Sequence, residues 1–238
     1  MKNKILKQLL LTAVLCACLV FVVKFGLPQL LRAYIVTGIG DCAKIPVLCM
    51  TPKEATQALT ADRDYIQGLV PYKFPKTNIS APKGFKVVQE LVSKPYYKRR
   101  RQRLAEPVIY VLHQPPGFFL KLFPQVKSVG VKNNYEFMRR LMQANESGIN
   151  SVSDAFFVIL KSIFTPDLGD QRRAEMIQFR AGGTVYFISY NLTGKAYFFD
   201  CTILPEEGDF FKVYIKDNLR TLDLNKVFSI ISTVSSAD

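Results

Sequence analysis

An uncharged apolar run near the N-terminus, from Leu9 to Val23, constrains this chain more than any other feature. At ~1.5 Å per residue, a helix of this run falls short of a ~30 Å hydrocarbon core, so Ile5 and Leu6 must join it for the helix to cross. Three lysines precede the run within residues 1–8, and only Lys24 follows it closely. This bias predicts a cytoplasmic basic tail over residues 1–8, a transmembrane signal anchor over residues 9–31 and a main domain outside the cytoplasm.

Other interpretations of the apolar run stay open. A cleaved secretory signal fits the length and charge, although no small-x-small site ends the run. A lipoprotein signal is the next alternative, because Leu15-Cys16-Ala17-Cys18 resembles a lipobox, but cleavage at Cys18 would leave the apolar Leu19–Val23 on the mature protein. A buried core helix is disfavoured by the position directly after three lysines. We therefore expect a single-pass protein of a bacterial inner membrane, with its main domain extracytoplasmic.

Positive charge outside the tail is concentrated in one window. The chain has a formal net charge of +13, and six of its cations lie in Lys94–Arg103, which contains no acid. The candidate anionic-surface binding residues of this window are Lys98, Arg99, Arg100, Arg101 and Arg103. Such residues pair with phosphates and anionic head groups, so the expected partners are anionic lipid, a wall polymer or an acidic protein; a merely solvated loop is the alternative. Nucleic acid is excluded as a partner, because an exported domain seldom meets it.

A pair of cysteines follows the predicted anchor. Cys42 and Cys49 flank six residues in a predicted neck over residues 32–75. In an oxidising compartment they can close a small loop, worth ~2–3 kcal/mol on the chain-entropy model; free thiols are the alternative. A zinc site would need two further ligands, and no Cys or His cluster in the sequence supplies them. We predict a disulfide, no metal site and no cofactor.

Hydrophobic periodicity predicts how the chain is folded after the anchor. In the neck, Tyr34–Pro52 should be irregular, a helix capped by Thr51 should run to about Leu69, and Val70–Pro75 should be a linker. For residues 76–238 the predicted strands are a short one after Asn78, one from Phe85 to Val92, then Pro107–Leu112, Phe118–Phe123, Lys127–Lys132, Ala174–Arg180, Thr184–Asn191, Lys195–Leu204 and Phe210–Ile215. The predicted helices are Tyr135–Glu146, one from Ser151 or Ser153 to Pro166, and Leu224–Val234. The basic window should form a hairpin loop. This order predicts one α+β domain, an antiparallel sheet with packed helices.

The order of elements also resembles a known family. It opens on Pro82-Lys83-Gly84-Phe85 and closes on the helix containing Phe228-Ser229-Ile230-Ile231-Ser232. Over about residues 76–236 it resembles the PsbP-like fold, whose members include extrinsic subunits of photosystem II and a Ran-binding import factor. The resemblance implies a sandwich of sheet and helices, and a binding protein rather than an enzyme. The anchor and the basic window depart from those members, so the identity of their partners does not transfer.

Residues suited to catalysis are sparse. His113 is the only histidine and hence the only candidate histidine base. No serine lies in a Gly-x-Ser-x-Gly elbow, and Cys201 lies in a core-like strand. Three glycosylation sequons begin at Asn78, Asn145 and Asn191. The sequence therefore predicts a non-catalytic binding or scaffolding protein of the cell envelope; the alternative is a membrane-tethered hydrolase that uses His113 as its base with a hydroxyl partner.

Overall fold

The structure is a computed structural model, and it describes residues 12, 14–16, 18–38, 42–43, 46–55, 59–90, 106–164, 168, 171–206 and 208–237. The basic window Lys94–Arg103 lies outside these residues. The described helices are α1 (Val14–Gly38), α2 (Arg63–Gln67), α3 (Phe118–Leu122), α4 (Asn134–Gln143), α5 (Val152–Phe164) and α6 (Leu224–Ile231). The described strands are β1 (Lys53–Glu54), β2 (Val70–Lys73), β3 (Thr77–Ala81), β4 (Lys86–Glu90), β5 (Val108–Gln114), β6 (Glu175–Ala181), β7 (Thr184–Asn191), β8 (Tyr197–Pro205), β9 (Phe210–Asp217) and β10 (Ser235–Ser236).

These elements belong to two compact units. The first unit comprises Met1–Cys49 and Ala144–Ile163, and the second comprises Met50–Gln143 and Phe164–Asp238. Helices and sheets are both present, so the predicted α+β class is confirmed at this coarse level.

Helix α1 dominates the first unit and is long and apolar enough to cross a membrane. Its central turn, Val22–Gly26, is a π-helix. Pro28 follows this turn; because proline has no N–H and its ring crowds the carbonyl four residues earlier, a wider turn is a natural accommodation. The helix continues to Gly38, so the prediction of an irregular chain from Tyr34 onwards is wrong for Tyr34–Gly38. It is wrong because tertiary packing of Ile35 extends the helix beyond its apolar half.

The C-terminal half of α1 packs inside the first unit. Ile35 is fully buried, and Leu31 is partly buried beside it. Their buried neighbours are Leu48, Ile149, Ala155 and Val158. Leu48 lies in a 3-10 turn, Pro46–Leu48, and the last two belong to α5. A small apolar core therefore joins α1, the Pro46–Leu48 turn and α5.

The second unit is built on a seven-stranded sheet with the order β1-β6-β7-β8-β9-β5-β4. The five central strands pair antiparallel, as predicted, but β1 is parallel to β6 and β4 is parallel to β5. The predicted hairpin across the basic window is therefore wrong, because the two strands of a hairpin run antiparallel.

Side chains alternate between the two faces of this sheet. Ile188, Cys201, Val213 and Val111 are aligned across four strands and face a core completed by α6 and a second sheet, β10-β3-β2. The opposite face meets α3: the ring of Phe119 lies 5.5 Å from that of Phe210 and stacks at 4.4 Å on Phe137 of α4. The sheet is thus covered on both faces within this unit.

Several sequence-based assignments need correction. The helix predicted from Thr51 to Leu69 is replaced by β1 and the short α2, whose N-cap Asp62 accepts from the N–H groups of Asp64 and Tyr65. Val70–Pro75 contains β2 rather than a linker. The strand predicted at Phe118–Phe123 is the helix α3, and the strand predicted at Lys127–Lys132 is absent, since a 3-10 helix, Pro124–Val129, covers its first half. Short apolar runs suit strand and helix equally, and long-range contacts decide between them.

Most other elements are confirmed. The β6-β7-β8 meander, β5 and β9 occupy the predicted segments. Side-chain caps begin two of these helices: Asn133 Oδ1 accepts from Glu136 N at the start of α4, and Asp223 Oδ1 accepts from Lys226 N at the start of α6. Ser151 Oγ likewise accepts from Asp154 N at the start of α5.

Candidate functional site

His113, the candidate base, lies at one end of the sheet in the second unit. It stands near the end of β5, where its register partner on β9 is Phe211 and the two rings are 5.4 Å apart. His113 Nε2 lies 2.8 Å from Asp209 Oδ2, and Ser236 Oγ donates to the same oxygen at 2.6 Å. Asp209 directly precedes β9, and Ser236 belongs to β10. One carboxylate thus joins the end of β5, the start of β9 and the C-terminal strand.

The electrostatics of this cluster favour an ionised carboxylate. Burial by itself would raise the pKa of Asp209, but the hydrogen bond from Ser236 and the close contact with the His113 imidazole lower this pKa below its ordinary value. A negatively charged Asp209 is therefore the form that this arrangement stabilises.

The order of these groups differs from that of a hydrolytic triad. In a triad the imidazole lies between the carboxylate and the nucleophilic hydroxyl, so that it can take the hydroxyl proton. Here Asp209 lies between His113 and Ser236, and the hydroxyl donates to the carboxylate. Both ring nitrogens of His113 are buried, and among the described residues neither makes a hydrogen bond of good geometry, although Nε2 lies in ion-pair distance of Asp209. The cluster has the carboxylate that a base requires but brings no hydroxyl to the imidazole.

A small cleft opens beside Asp209. Its wall includes Pro116, Gly117, Asn134, Tyr135, Glu206 and Asp209, whereas His113 does not line it. The buried Asn134 shapes this wall: its Oδ1 accepts from Phe119 N at 3.2 Å and its Nδ2 donates to Pro115 O at 2.9 Å. Arg180 reaches the rim, where it pairs with Glu206. The cleft is therefore separated from the only histidine.

A second polar group, which sequence reasoning missed, lies on the other face of the same sheet. Lys212 Nζ is 2.9 Å from Asp200 Oδ2, and their side chains are only 4% and 2% exposed. The same ammonium group donates to Phe164 O at 2.9 Å. The available signal was a charged residue inside each of two apolar strands, Phe199–Ile203 and Phe210–Ile215, with opposite signs. The ion pair of Asp200 and Lys212 lies in the middle of the sheet and not at its rim.

Cys201 faces the core and is not a nucleophile. Its side chain is fully buried. Burial, with a smaller effect of the neighbouring Asp200, raises the pKa of the Cys201 thiol well above its ordinary value. The thiol therefore stays protonated, in line with the interpretation of Cys201 as a small core residue.

The two neck cysteines are joined in the first unit. Cys42 and Cys49 form a disulfide with a Cα–Cα distance of 5.7 Å, which is compatible with the predicted bond. Glu146, distant in sequence and only 8% exposed, places Oε2 3.1 Å from Cys42 Sγ. Arg32 Nε lies 3.6 Å from the other carboxylate oxygen. The two sulfurs and a carboxylate oxygen lie within 4.8 Å of one another, close enough to hold a metal ion, but sulfurs bonded to each other are not thiolate ligands.

The remaining candidate residues divide in two. Lys98, Arg99, Arg100, Arg101 and Arg103 lie outside the described residues, and binding by them stays a prediction. The sequon asparagines are described: Asn191 is buried, with Nδ2 donating to Leu168 O at 2.9 Å, so it cannot carry a glycan in the folded protein. Asn78 is part of β3, and Asn145 accepts from Gly148 N as a cap.

Comparison with protein-family models, with curated proteins and with solved structures finds no match for this chain. The resemblance to the PsbP-like fold therefore stays a prediction.

Proposed function

We propose that this protein is a membrane-anchored, extracytoplasmic and non-catalytic binding or scaffolding protein of the cell envelope. The observation that carries the proposal is the change in packing along α1. Leu19, Phe21 and Val23 near its N-terminal end are 68%, 63% and 55% exposed, whereas Ile35 near its C-terminal end is fully buried. Several exposed apolar side chains in a row are stable when lipid surrounds them, whereas the buried C-terminal end of α1 is fixed to a folded unit.

The direction of insertion follows from charge. Lysines are concentrated before the apolar run, which favours a cytoplasmic N-terminus and an exported body. The disulfide between Cys42 and Cys49 also supports an exported body, because such bonds persist in oxidising compartments.

A non-catalytic role fits the environment of His113. Its Nε2 is engaged by Asp209, which in turn holds the C-terminal strand through Ser236. The hydrolase alternative has one observation in its favour, an ionised carboxylate that orients the imidazole. It would need a hydroxyl within ~3.2 Å of an imidazole nitrogen, or one water away. A structural link between strand ends therefore accounts for His113 with fewer assumptions.

Membrane fractionation followed by co-purification tests the proposal. The full chain should stay in the membrane pellet after alkaline extraction and should bring partner proteins with it in mild detergent. A matched variant with Leu19→Lys and Val22→Lys should leave the pellet, because each lysine at mid-membrane costs ~2.5–3.5 kcal/mol. A chain that runs alone as a monomer in mild detergent would contradict the scaffolding role, and extraction of the unmodified chain would contradict the anchor.

The basic window supplies a second test, of anionic-surface binding. Replacing Arg99, Arg100, Arg101 and Arg103 by glutamine should weaken binding of the domain without its anchor to anionic vesicles by ~10-fold or more, since each basic residue near such a surface contributes ~1 kcal/mol before salt screening. Residual binding should lose most of its salt dependence. The measurement is vesicle co-sedimentation between low and physiological salt.

A control variant separates the effect of this window on vesicle binding from the effect of net charge. It removes the same number of positive charges at exposed positions elsewhere, namely Lys121, Lys127, Lys132 and Arg139. If both variants bind vesicles equally, the window is not the contact. A large fall in melting temperature of the window variant would show that its arginines pair within the fold.

A further inference from the structure

In the first unit, the buried carboxylate of Glu146 lies against a sulfur of the disulfide, and membrane anchoring does not explain this contact. Glu146 is 8% exposed, and its Oε2 lies 3.1 Å from Cys42 Sγ. Arg32 holds the opposite oxygen at 3.6 Å. A disulfide sulfur has no proton to donate, so this contact becomes a hydrogen bond only when Cys42 is a thiol. The hydrogen bond from Cys42 to Glu146 therefore forms only when the disulfide is reduced.

The two cysteine residues differ in exposure. Cys49 is exposed, whereas Cys42 is half-buried beside Glu146. Thiol–disulfide exchange proceeds by attack of a thiolate on one accessible sulfur, and the other sulfur leaves. Access therefore selects Cys49 as the attacked sulfur and Cys42 as the leaving sulfur. A bare thiolate leaving next to a carboxylate would be repelled, so the leaving sulfur requires a proton.

We propose that Cys42–Cys49 is an exchangeable disulfide that reacts with a dithiol partner through Cys49, and that Glu146 carries the proton of Cys42. The partner thiolate attacks Cys49 Sγ; the new bond joins partner and Cys49, and the bond to Cys42 breaks. The electron pair leaves on Cys42 Sγ, and the Glu146 carboxylate, which has taken up the proton released by the partner thiol, passes that proton to Cys42 Sγ. The second partner thiolate then attacks the partner sulfur and releases Cys49 as a thiolate. Two electrons have moved from the partner dithiol, now a disulfide, to the cysteine pair.

The reverse reaction uses the same groups. Glu146 Oε2 accepts the proton of the Cys42 thiol while Cys42 Sγ attacks a mixed disulfide on Cys49. Packing keeps the two sulfurs close enough to reclose. Leu48 is buried against α1 and α5, and Cys49 N donates to Pro46 O at 3.0 Å, so the chain next to Cys49 is held without the disulfide. This exchange does not depend on the anchoring or scaffolding role.

The test begins with the full chain in detergent, with Cys16→Ser and Cys18→Ser and with EDTA to exclude metals. Cys42 and Cys49 should resist alkylation in unfolded protein until dithiothreitol is added. Labelling of both without reductant would show that no disulfide exists and would overturn the proposal.

Rates identify the role of Glu146. After reduction, reclosure by glutathione disulfide at pH 7 should be at least ~10-fold slower in Glu146→Gln, because general-base assistance is lost. The difference should vanish above pH ~9, where thiols ionise unaided. A structural defect would slow reclosure at every pH. Arg32→Gln removes the ion pair but keeps the base, and Glu175→Gln is a remote control; both should retain the wild-type pH profile. Equal rates for Glu146→Gln and wild type between pH 6 and 9 would overturn the role of Glu146.

Trapping tests the role of Cys49 with Glu146 intact. Cys42→Ser should accumulate a mixed disulfide with glutathione on Cys49, detected by mass spectrometry. Cys49→Ser should form one on Cys42 at least ~10-fold more slowly, because Cys42 is less accessible. Equal rates at both cysteines would contradict the assignment of Cys49 as the attacked sulfur.

Discussion

Replacing Lys212 with methionine should lower the free energy of unfolding of the second unit by about 3–5 kcal/mol, because the variant leaves a buried carboxylate without its cation. The Asp200 and Lys212 side chains are 2% and 4% exposed, and their charged atoms are 2.9 Å apart. Methionine fills a similar volume, so lost packing adds little to the effect. Chemical denaturation followed by tyrosine fluorescence measures the change.

A double variant separates charge from packing. Adding Asp200→Leu to Lys212→Met removes both charges, and most of the lost stability should return, since a buried ion pair is often no better than two apolar side chains. Lys195→Met, an exposed position between β7 and β8, should change stability by less than ~0.5 kcal/mol. Equal losses in the single and double variants would contradict the electrostatic explanation.

Replacing Lys161 with methionine should raise stability, in contrast to Lys212→Met. We expect it to stabilise α5 at neutral pH by about 2–3 kcal/mol. Lys161 is fully buried in α5, and burial lowers the pKa of its ammonium group from 10.5 to about 7. Each pKa unit corresponds to ~1.4 kcal/mol, so burial disfavours the charged form by roughly 5 kcal/mol at low pH and by roughly 4 kcal/mol near pH 7, where part of the folded chain has already lost the proton. Loss of the hydrogen bond from Nζ to Ala144 O, 2.7 Å long, offsets ~1–2 kcal/mol of the gain.

The pH dependence gives the decisive measurement. The unfolded chain binds the Lys161 proton up to pH ~10.5 and the folded chain only up to about 7, so this group makes stability rise with pH between these values. The Lys161→Met advantage should therefore be full at pH 6–7 and absent near pH 10.5. Hydrogen exchange of the α5 amides at both pH values measures it, with the exposed Lys127→Met as control. A constant advantage at all pH values would show that packing, not charge, is responsible.

Local sequence determined the elements whose signals are contained in a few neighbouring residues. The apolar run near the N-terminus predicted a helix long enough to cross a membrane, and α1 has that length. Gly182 and Gly183, both at positive φ, form the two-residue turn between β6 and β7, which is the position that glycine favours in a tight hairpin. Asp223 begins α6 through a hydrogen bond three residues away. In each case the stabilising contacts are local, so the sequence window contains them.

Tertiary structure alone decided the remaining elements and the polar groups. Lys53–Glu54 forms a strand because it pairs with β6, more than a hundred residues later, and Phe118–Leu122 is helical where Asn134 Oδ1 accepts from Phe119 N. Glu146 reaches Cys42, 104 residues away in sequence, only after distant segments have packed. The parallel pairing of β4 with β5 is likewise not specified by the local sequence of either strand. Such contacts depend on loop closure over long separations, which no local pattern encodes.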